Sequence, residues 1–302
     1  MMGREQGVVM NRKALPAFAV VALGVMPLRA APLTVEVMQT SVNSLYTSIS
    51  LIEGQKGAIL VDAPFTRADA HRVVAWILES GHDLEAVYVT HDHPDHFFSM
   101  EVITQAFPKA RVVSAPVVVE DIRKSIPAKM KRWGPMLGAN GPRHPTPPTP
   151  LQGNVLMLEG ERIEVIGPLQ GDHANSTALY VPSAKTLIAG DLLFNEMHLW
   201  LGESLEPQRK AWAVAVERLA GLGATRVIAG HKKPGLADDT SAVSYTRTYL
   251  AAFERALGES KNSAELRTKI IAAFPATIDW NGDFLLGNSS RVAMGEDPPW
   301  AE

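Results

Sequence analysis

The sequence predicts an α/β protein in which two packed β-sheets are flanked by helices. Strand-forming segments come in two groups, each followed by helical ones, an arrangement that buries one face of each sheet against the other and the outer faces under helices. No repeat with a period of about 20–50 residues is present, which excludes solenoids and propellers. With 302 residues, 46% of them apolar and 20% charged, the chain can bury a substantial core. One continuous domain over residues 31–302 is expected.

The elements follow in order. Leu45 to Ile52 is β-rich, Gly54-Gln55-Lys56-Gly57 reads as a turn, and Ala58 to Val61 as the returning strand. Residues 66–80 suit a helix, with Val73, Val74, Ile77 and Leu78 on one side and Gly81 past its end. Ala86 to Val89 is a short apolar strand. A helix is expected at Val102 to Phe107, a strand at Arg111 to Ser114 and a helix at Val117 to Met130. Six prolines and three glycines between Gly134 and Pro150 predict a long loop, either a lid or binding loop or a surface excursion without function. Strand patterns resume at Val155 and Arg162, then at Ala178 to Val181, Thr186 to Ala189 and Arg226 to Ala229. Helices are expected at Pro207 to Leu219 and Ser241 to Leu257.

The N-terminus reads as an export segment. Arg12 and Lys13 precede an apolar run from Ala14 to Leu28, and Ala30-Ala31 offers small residues for cleavage. The run is short for a transmembrane helix, which needs roughly 20 residues. Residues 1–30 are therefore expected to be a signal peptide, the remainder periplasmic or secreted and without stable membrane insertion. Cleavage would remove four positive charges and one negative, taking the formal charge from −3 to −6. An acidic protein of this kind is a poor partner for nucleic acid. Arg123-Lys124 and Lys129-Lys131-Arg132 read as the solvated face of a helix. The absence of cysteine excludes disulfides and thiolate metal sites.

The chemistry concentrates in His91-Asp92-His93-Pro94-Asp95-His96. Two histidines two apart in an extended segment point the same way and can grip one metal, while Asp95-His96 faces a second. Imidazole nitrogen and carboxylate oxygen are the usual ligands of a hydrolytic zinc. Three further segments, at strand ends or in loops, offer more ligands: Gly171-Asp172-His173, Ala189-Gly190-Asp191 and Ala229-Gly230-His231. His71, His82, His144 and His198 lack such context and are expected at the surface.

In these motifs and their order, from roughly Val42 to Leu257, the chain resembles the metallo-β-lactamase fold superfamily. Ala58-Ile59-Leu60-Val61-Asp62-Ala63 resembles that family's early strand ending in an acid. The resemblance implies an αββα sandwich of two mixed sheets, with the site along one edge, and two zinc ions, iron or manganese replacing them in some members. Carried over by position, His91, His93 and His173 would hold the first metal. Asp95, His96 and His231 would hold the second, and Asp191 would bridge. Asp62 would orient a ligand histidine, and Thr177 would support the ligand loop.

Two such ions, about 3.5–4 Å apart, lower the pKa of a shared water toward neutrality, and the hydroxide attacks a carbonyl or phosphoryl centre. Asp95 is placed to accept a hydrogen bond from that nucleophile and relay its proton. The expected activity is hydrolysis of a small ester, lactone or related acyl compound. A bridging Asp at position 191 resembles the family's lactonases, glyoxalase-II-like thioesterases and phosphoesterases, whereas its β-lactamases usually carry Cys or Ser there. Quorum-quenching lactonases have a tyrosine three residues further on, where this chain has Phe194. Phe194, His198 and Trp200 are candidate pocket residues whose aromatic character favours an apolar substrate. The alternatives are β-lactam hydrolysis, thioester hydrolysis, and a metal-retaining binding protein without turnover.

Overall fold

The computed structural model describes residues 31–300, together with residues 1–3 and 7. The expected export segment otherwise lies outside the described residues. The first half of the chain contains β1 (Thr34–Gln39), β2 (Ser48–Glu53), β3 (Gly57–Val61), α1 (Arg67–Ser80), β4 (Asp83–Tyr88), α2 (Met100–Ala106), β5 (Arg111–Ser114), α3 (Pro116–Leu137) and β6 (Thr149–Pro150). The second half contains β7 (Val155–Leu158), β8 (Glu161–Leu169), β9 (Ser176–Val181), β10 (Thr186–Ile188), β11 (Phe194–Asn195), α4 (Glu206–Ala220), β12 (Arg226–Ile228), β13 (His231–Lys232), α5 (Ser241–Gly258), α6 (Ser263–Ala273) and α7 (Phe284–Ala293).

Two mixed sheets form the centre. One has the strand order β1-β2-β3-β4-β5-β6 and the other β12-β10-β9-β8-β7, with β11 and β13 pairing separately. Alternation along the strands decides what each face meets. In β3, Ile59 and Val61 point between the sheets, where they join Tyr88, Ile163, Leu179, Ile188 and Ile228. Ala58 and Leu60 point the other way, onto Val73, Ile77, Ile103 and Ile122 of α1, α2 and α3. The second sheet repeats this: Ala178, Leu187 and Val227 face outward onto Trp212, Val216, Tyr249 and Phe253 of α4 and α5. Helices, sheet, sheet and helices thus stack as an αββα sandwich. Truncating a buried leucine such as Leu60 to alanine in such a core costs about 2–5 kcal/mol.

The N-terminal end of α1 is capped by the Thr66 hydroxyl, which accepts from the Asp69 N–H at 3.3 Å, and Gly81 at φ 75° closes its C-terminal end. Strand β1 and helices α6 and α7 were not anticipated. The proline-rich stretch begins as helix rather than loop, because α3 runs through Pro127 and Pro135 to Leu137. Proline frees the carbonyl four residues back. Those carbonyls belong to Arg123 and Lys131, both on the exposed side, where water can satisfy them. Lys129 departs from the expected solvated face: it is buried at 1% exposure and pairs with Asp92 Oδ1 at 2.9 Å. The rest of the proline-rich stretch is tied down away from the site. Glu101 accepts from the N–H groups of Arg143 and His144, at 3.0 and 2.6 Å. No helix among the described residues is long and apolar enough to cross a membrane.

Candidate metal centre

The candidate ligands gather where strands end along one edge of the sandwich. His91 to His96 follow β4 directly, and Asp191 and His231 follow β10 and β12, which run parallel to each other. Asp62, at the end of β3, has the left-handed backbone (φ 69°) that a short polar side chain tolerates. Its carboxylate accepts from Thr90 N at 2.7 Å and Thr90 Oγ1 at 2.8 Å, and lies 2.7 Å from His96 Nδ1. Thr90 Oγ1 is in turn 3.0 Å from His91 Nδ1. One carboxylate therefore fixes the rings of two candidate ligands and leaves each Nε2 facing the centre. Thr177 supports the same strand end, its hydroxyl donating to Thr90 O at 2.6 Å. Gly230 is required for close approach, since a Cβ there would lie 1.9 Å from Asp191 Oδ1.

Two buried groups result. Ligand atoms of His91, His93, Asp172 and Asp191 lie within 4.8 Å of one another, as do those of Asp95, His96 and His231. Asp191 joins the two groups. It is 3.1 Å from His96 Nε2 through one oxygen, and through the other 3.1 Å from His231 Nε2 and 3.8 Å from His91 Nε2. Asp95 Oδ2 is 3.1 Å from His231 Nε2 and accepts from Thr47 Oγ1 at 3.1 Å. His231 Nδ1 is anchored on Leu45 O at 2.8 Å.

The first group differs from the expected three histidines. Asp172 enters it, with Oδ2 3.0 Å from His93 Nδ1 and Oδ1 3.9 Å from His91 Nε2. His173 stands beside it, its ring centroid 5.5 Å from that of His93. Glu203 is a further residue that sequence reasoning missed. It lies 2.9 Å from His93 Nε2, which leaves His93 Nδ1 to the centre, and it accepts from Trp200 Nε1 at 3.1 Å. No local motif marks Glu203; it reaches the site only because the loop after β11 folds over it.

Burial and mutual charge set the protonation of these groups in opposite directions. Burial pushes the Asp172 carboxyl up to about 8, with Asp191 adding to the rise and His93 opposing it. Burial acts against Glu203 too, but the charge and hydrogen bond of His93 hold it down at about 2. The His231 imidazole is raised to about 10, burial being outweighed by the Asp191 carboxylate. His91 is held well below its ordinary range by burial and by the neighbouring His96. Strongly perturbed groups of this kind cluster at functional sites and also occur in structural ion-pair networks.

Above the centre lies a cavity. Of the expected pocket residues, Phe194 and Trp200 line it, but His198 does not. Nor is His198 at the surface: it is buried at 4% exposure with Nδ1 2.8 Å from the Tyr249 hydroxyl. Its neighbours Met197 and Trp200 take the cavity side, so His198 packs behind them. The C-terminal segment supplies much of the remaining wall through Trp280, Phe284 and Trp300. Trp200 stacks on Phe284 (5.5 Å, 11°) and meets Trp300 edge-on at 4.9 Å. Trp133 of α3 completes the box 6.0 Å from Phe284. Residues 134–150 contribute nothing to the lining, so of the two readings of this stretch, lid or surface excursion, the lid is not found over this cavity.

The residues fit metal ions. His91 Nε2, both Asp172 oxygens and Asp191 Oδ1 are buried with no hydrogen-bond partner among the described residues. Each such atom costs about 1–3 kcal/mol if left unsatisfied. The nitrogen and oxygen atoms of these residues approach one another to 3.0–3.9 Å, close enough for each group to share one ion. Imidazoles and carboxylates so arranged suit divalent cations.

A sequence model of the metallo-β-lactamase superfamily matches residues 42–231. Among solved structures, a metallo-β-lactamase from Pontibacter korlensis is similar at 22% identity and TM-score 0.50, covering 68% of this chain and 87% of its own. DIM-1 metallo-β-lactamase is similar at 19% identity and TM-score 0.53, covering 74% and 99%. A metallo-β-lactamase from Hirschia baltica gives 16% identity and TM-score 0.51, covering 72% and 97%. At these identities the likeness is one of fold. With the family match spanning more than half of its length and the buried His/Asp clusters standing at the strand ends, this chain belongs to the metallo-β-lactamase superfamily and is a hydrolase of that family.

Proposed function

We propose that this protein is a dinuclear metal-dependent hydrolase of small esters, lactones or related acyl compounds with a bulky apolar or aromatic portion. The observation that carries this reading is the pairing of the two buried ligand clusters with an aromatic box directly above them. Two ions bound there would supply an activated water and polarise the scissile bond. His91, His93 and Asp172 would hold one, Asp95, His96 and His231 the other, with Asp191 reaching both.

The chain's own residues supply the rest. Asp95, anchored by Thr47 and facing the cavity, is placed to take a proton from the attacking water and pass it to the leaving group. Trp133, Trp200, Trp280, Phe284 and Trp300 present ring faces that exclude water and hold an apolar acyl or leaving group over the centre. Two of their indole N–H groups are already engaged by the protein: Trp280 donates to Val42 O and Trp200 to Glu203. Phe194 stacks on His231 (5.3 Å, 26°) and brings no hydroxyl to the substrate, so a tyrosine-dependent lactonase geometry is not reproduced.

The test is hydrolysis by the metal-loaded chain of a long-chain acyl-homoserine lactone, an aryl ester and a chromogenic β-lactam. Chelator-sensitive turnover of the lactone or the ester, exceeding that of the β-lactam, supports the reading. Preference for the β-lactam overturns the substrate assignment, and no turnover of any of them removes its basis.

A further inference from the structure

Resting on the reading that this centre holds metal ions, we propose that Asp172, in place of His173, is the third protein ligand of the first metal position. The two residues are adjacent, and a tight turn decides which one faces inward. The Gly171 N–H donates to His173 O at 3.0 Å and Ser176 Oγ donates to the same carbonyl at 3.1 Å, closing the loop after β8. Both side chains lie beside His93, Asp172 through a carboxylate oxygen 3.0 Å from Nδ1 and His173 with its ring centroid 5.5 Å away. The Asp172 side chain is 1% exposed, and its oxygens reach within 3.0 Å of His93 Nδ1 and 3.9 Å of His91 Nε2. Neither oxygen has a hydrogen-bond partner among the described residues. His173 Nδ1 is also buried without a partner, but the His173 nitrogens lie outside both groups of converging ligand atoms, whereas the Asp172 carboxylate lies inside the first.

Glu203 reinforces the assignment from the far side. By engaging His93 Nε2 it turns Nδ1 of the same ring toward Asp172. The first position then offers two imidazoles and a carboxylate, with Asp191 as a second carboxylate. That set is harder than three imidazoles, and carboxylate-rich sets suit manganese and iron(II) better than zinc-type all-imidazole sets do. The consequence is a first position whose zinc preference is weakened by the chain itself.

The experiment measures metal content and competition affinity of the full chain, stripped with chelator and reloaded with Zn²⁺ or Mn²⁺, for wild type, Asp172→Ala, His173→Ala and Asp172→His. The expected result is two bound ions in wild type and in His173→Ala, and one in Asp172→Ala. Asp172→His should restore the second ion while lowering the manganese-to-zinc affinity ratio at least about tenfold. Circular dichroism of the metal-free proteins separates lost ligation from lost fold, and Asp172→His decides the matter if Asp172→Ala fails to fold. Loss of an ion in His173→Ala overturns the proposal, whether or not Asp172→Ala also loses one. An unchanged metal ratio in Asp172→His does the same. A wild-type protein that binds no metal overturns both this assignment and the proposed function, whereas two ions in wild type leave the latter standing whichever variant loses one.

Discussion

The floor of the cavity is polar and built from strand ends of both sheets; its wall is aromatic and drawn from α3, the loop after β11 and the C-terminal segment. Each imidazole in the floor has one nitrogen pinned by a neighbour, as His96 is by Asp62 and His231 by Leu45 O. The wall is held by ring contacts and a few backbone ties, such as Trp300 N to Gly202 O at 2.9 Å. Floor geometry is thus fixed by the strand ends of the sandwich. Wall geometry depends on how the tail folds back over residues 197–203. The difference separates chemistry from choice: the floor should determine whether a bond is cleaved, and the wall which molecule is presented.

The largest effect expected from breaking this comparison is at the floor. Alanine at His96 should remove the second ion and lower kcat/KM by several kcal/mol, on the order of 10³-fold, for every substrate alike. Parallel losses across a substrate series, measured by steady-state kinetics, check this.

Next comes the support behind the wall, at His198. Burial, with a smaller contribution from Arg267, holds its pKa down at about 4, against 6.5 ordinarily. The unfolded chain takes up this proton near pH 6.5 and the folded one only near 4, so the stability it contributes is present above pH 6.5 and lost as pH falls toward 4. The full loss is roughly 3 kcal/mol. Denaturant unfolding of the metal-free wild type and His198→Gln at pH 7 and pH 4 should show the wild type losing more, by an amount of this order.

Replacing Asp62 by Asn disturbs only how the floor is oriented. Metal affinity at the second position should weaken about 10–100-fold, read by competition with a chromophoric chelator. The smallest effect is at the wall itself. Trp300→Ala should raise KM about tenfold for long-chain or aromatic acyl substrates and leave kcat nearly unchanged, because the lost burial is shared by ground and transition states. A short acetate ester should be indifferent to it, and a matching loss with acetate would put Trp300 in the floor's work.

The same division explains how much could be read from the sequence. His91, His93, Asp95 and His96 stand out because rare ligand types crowd into six residues, and Asp191 and His231 because each follows a strand and a glycine. Two groups of strand segments, each followed by helical ones, and the helix signal before Gly81 made the sandwich legible. The Asp172–His173 pair was not legible, because spacing cannot say which of two adjacent ligand types a turn will aim inward. Lys129 and His198 were misplaced at the surface for a related reason: their partners, Asp92 and Tyr249, are brought to them only by tertiary packing. The wall was the least visible part. Trp133, Trp280 and Trp300 carry no shared pattern, and they converge only once α7 and the final residues dock beside α3.

The most direct test of floor chemistry joined to wall selection is a chain-length series of p-nitrophenyl esters, acetate to decanoate, assayed before and after metal removal. The account predicts that kcat/KM rises with acyl length, is abolished by chelation, and returns when two equivalents of metal are restored. Turnover that survives chelation, or a kcat/KM that falls as the acyl chain lengthens, would contradict it.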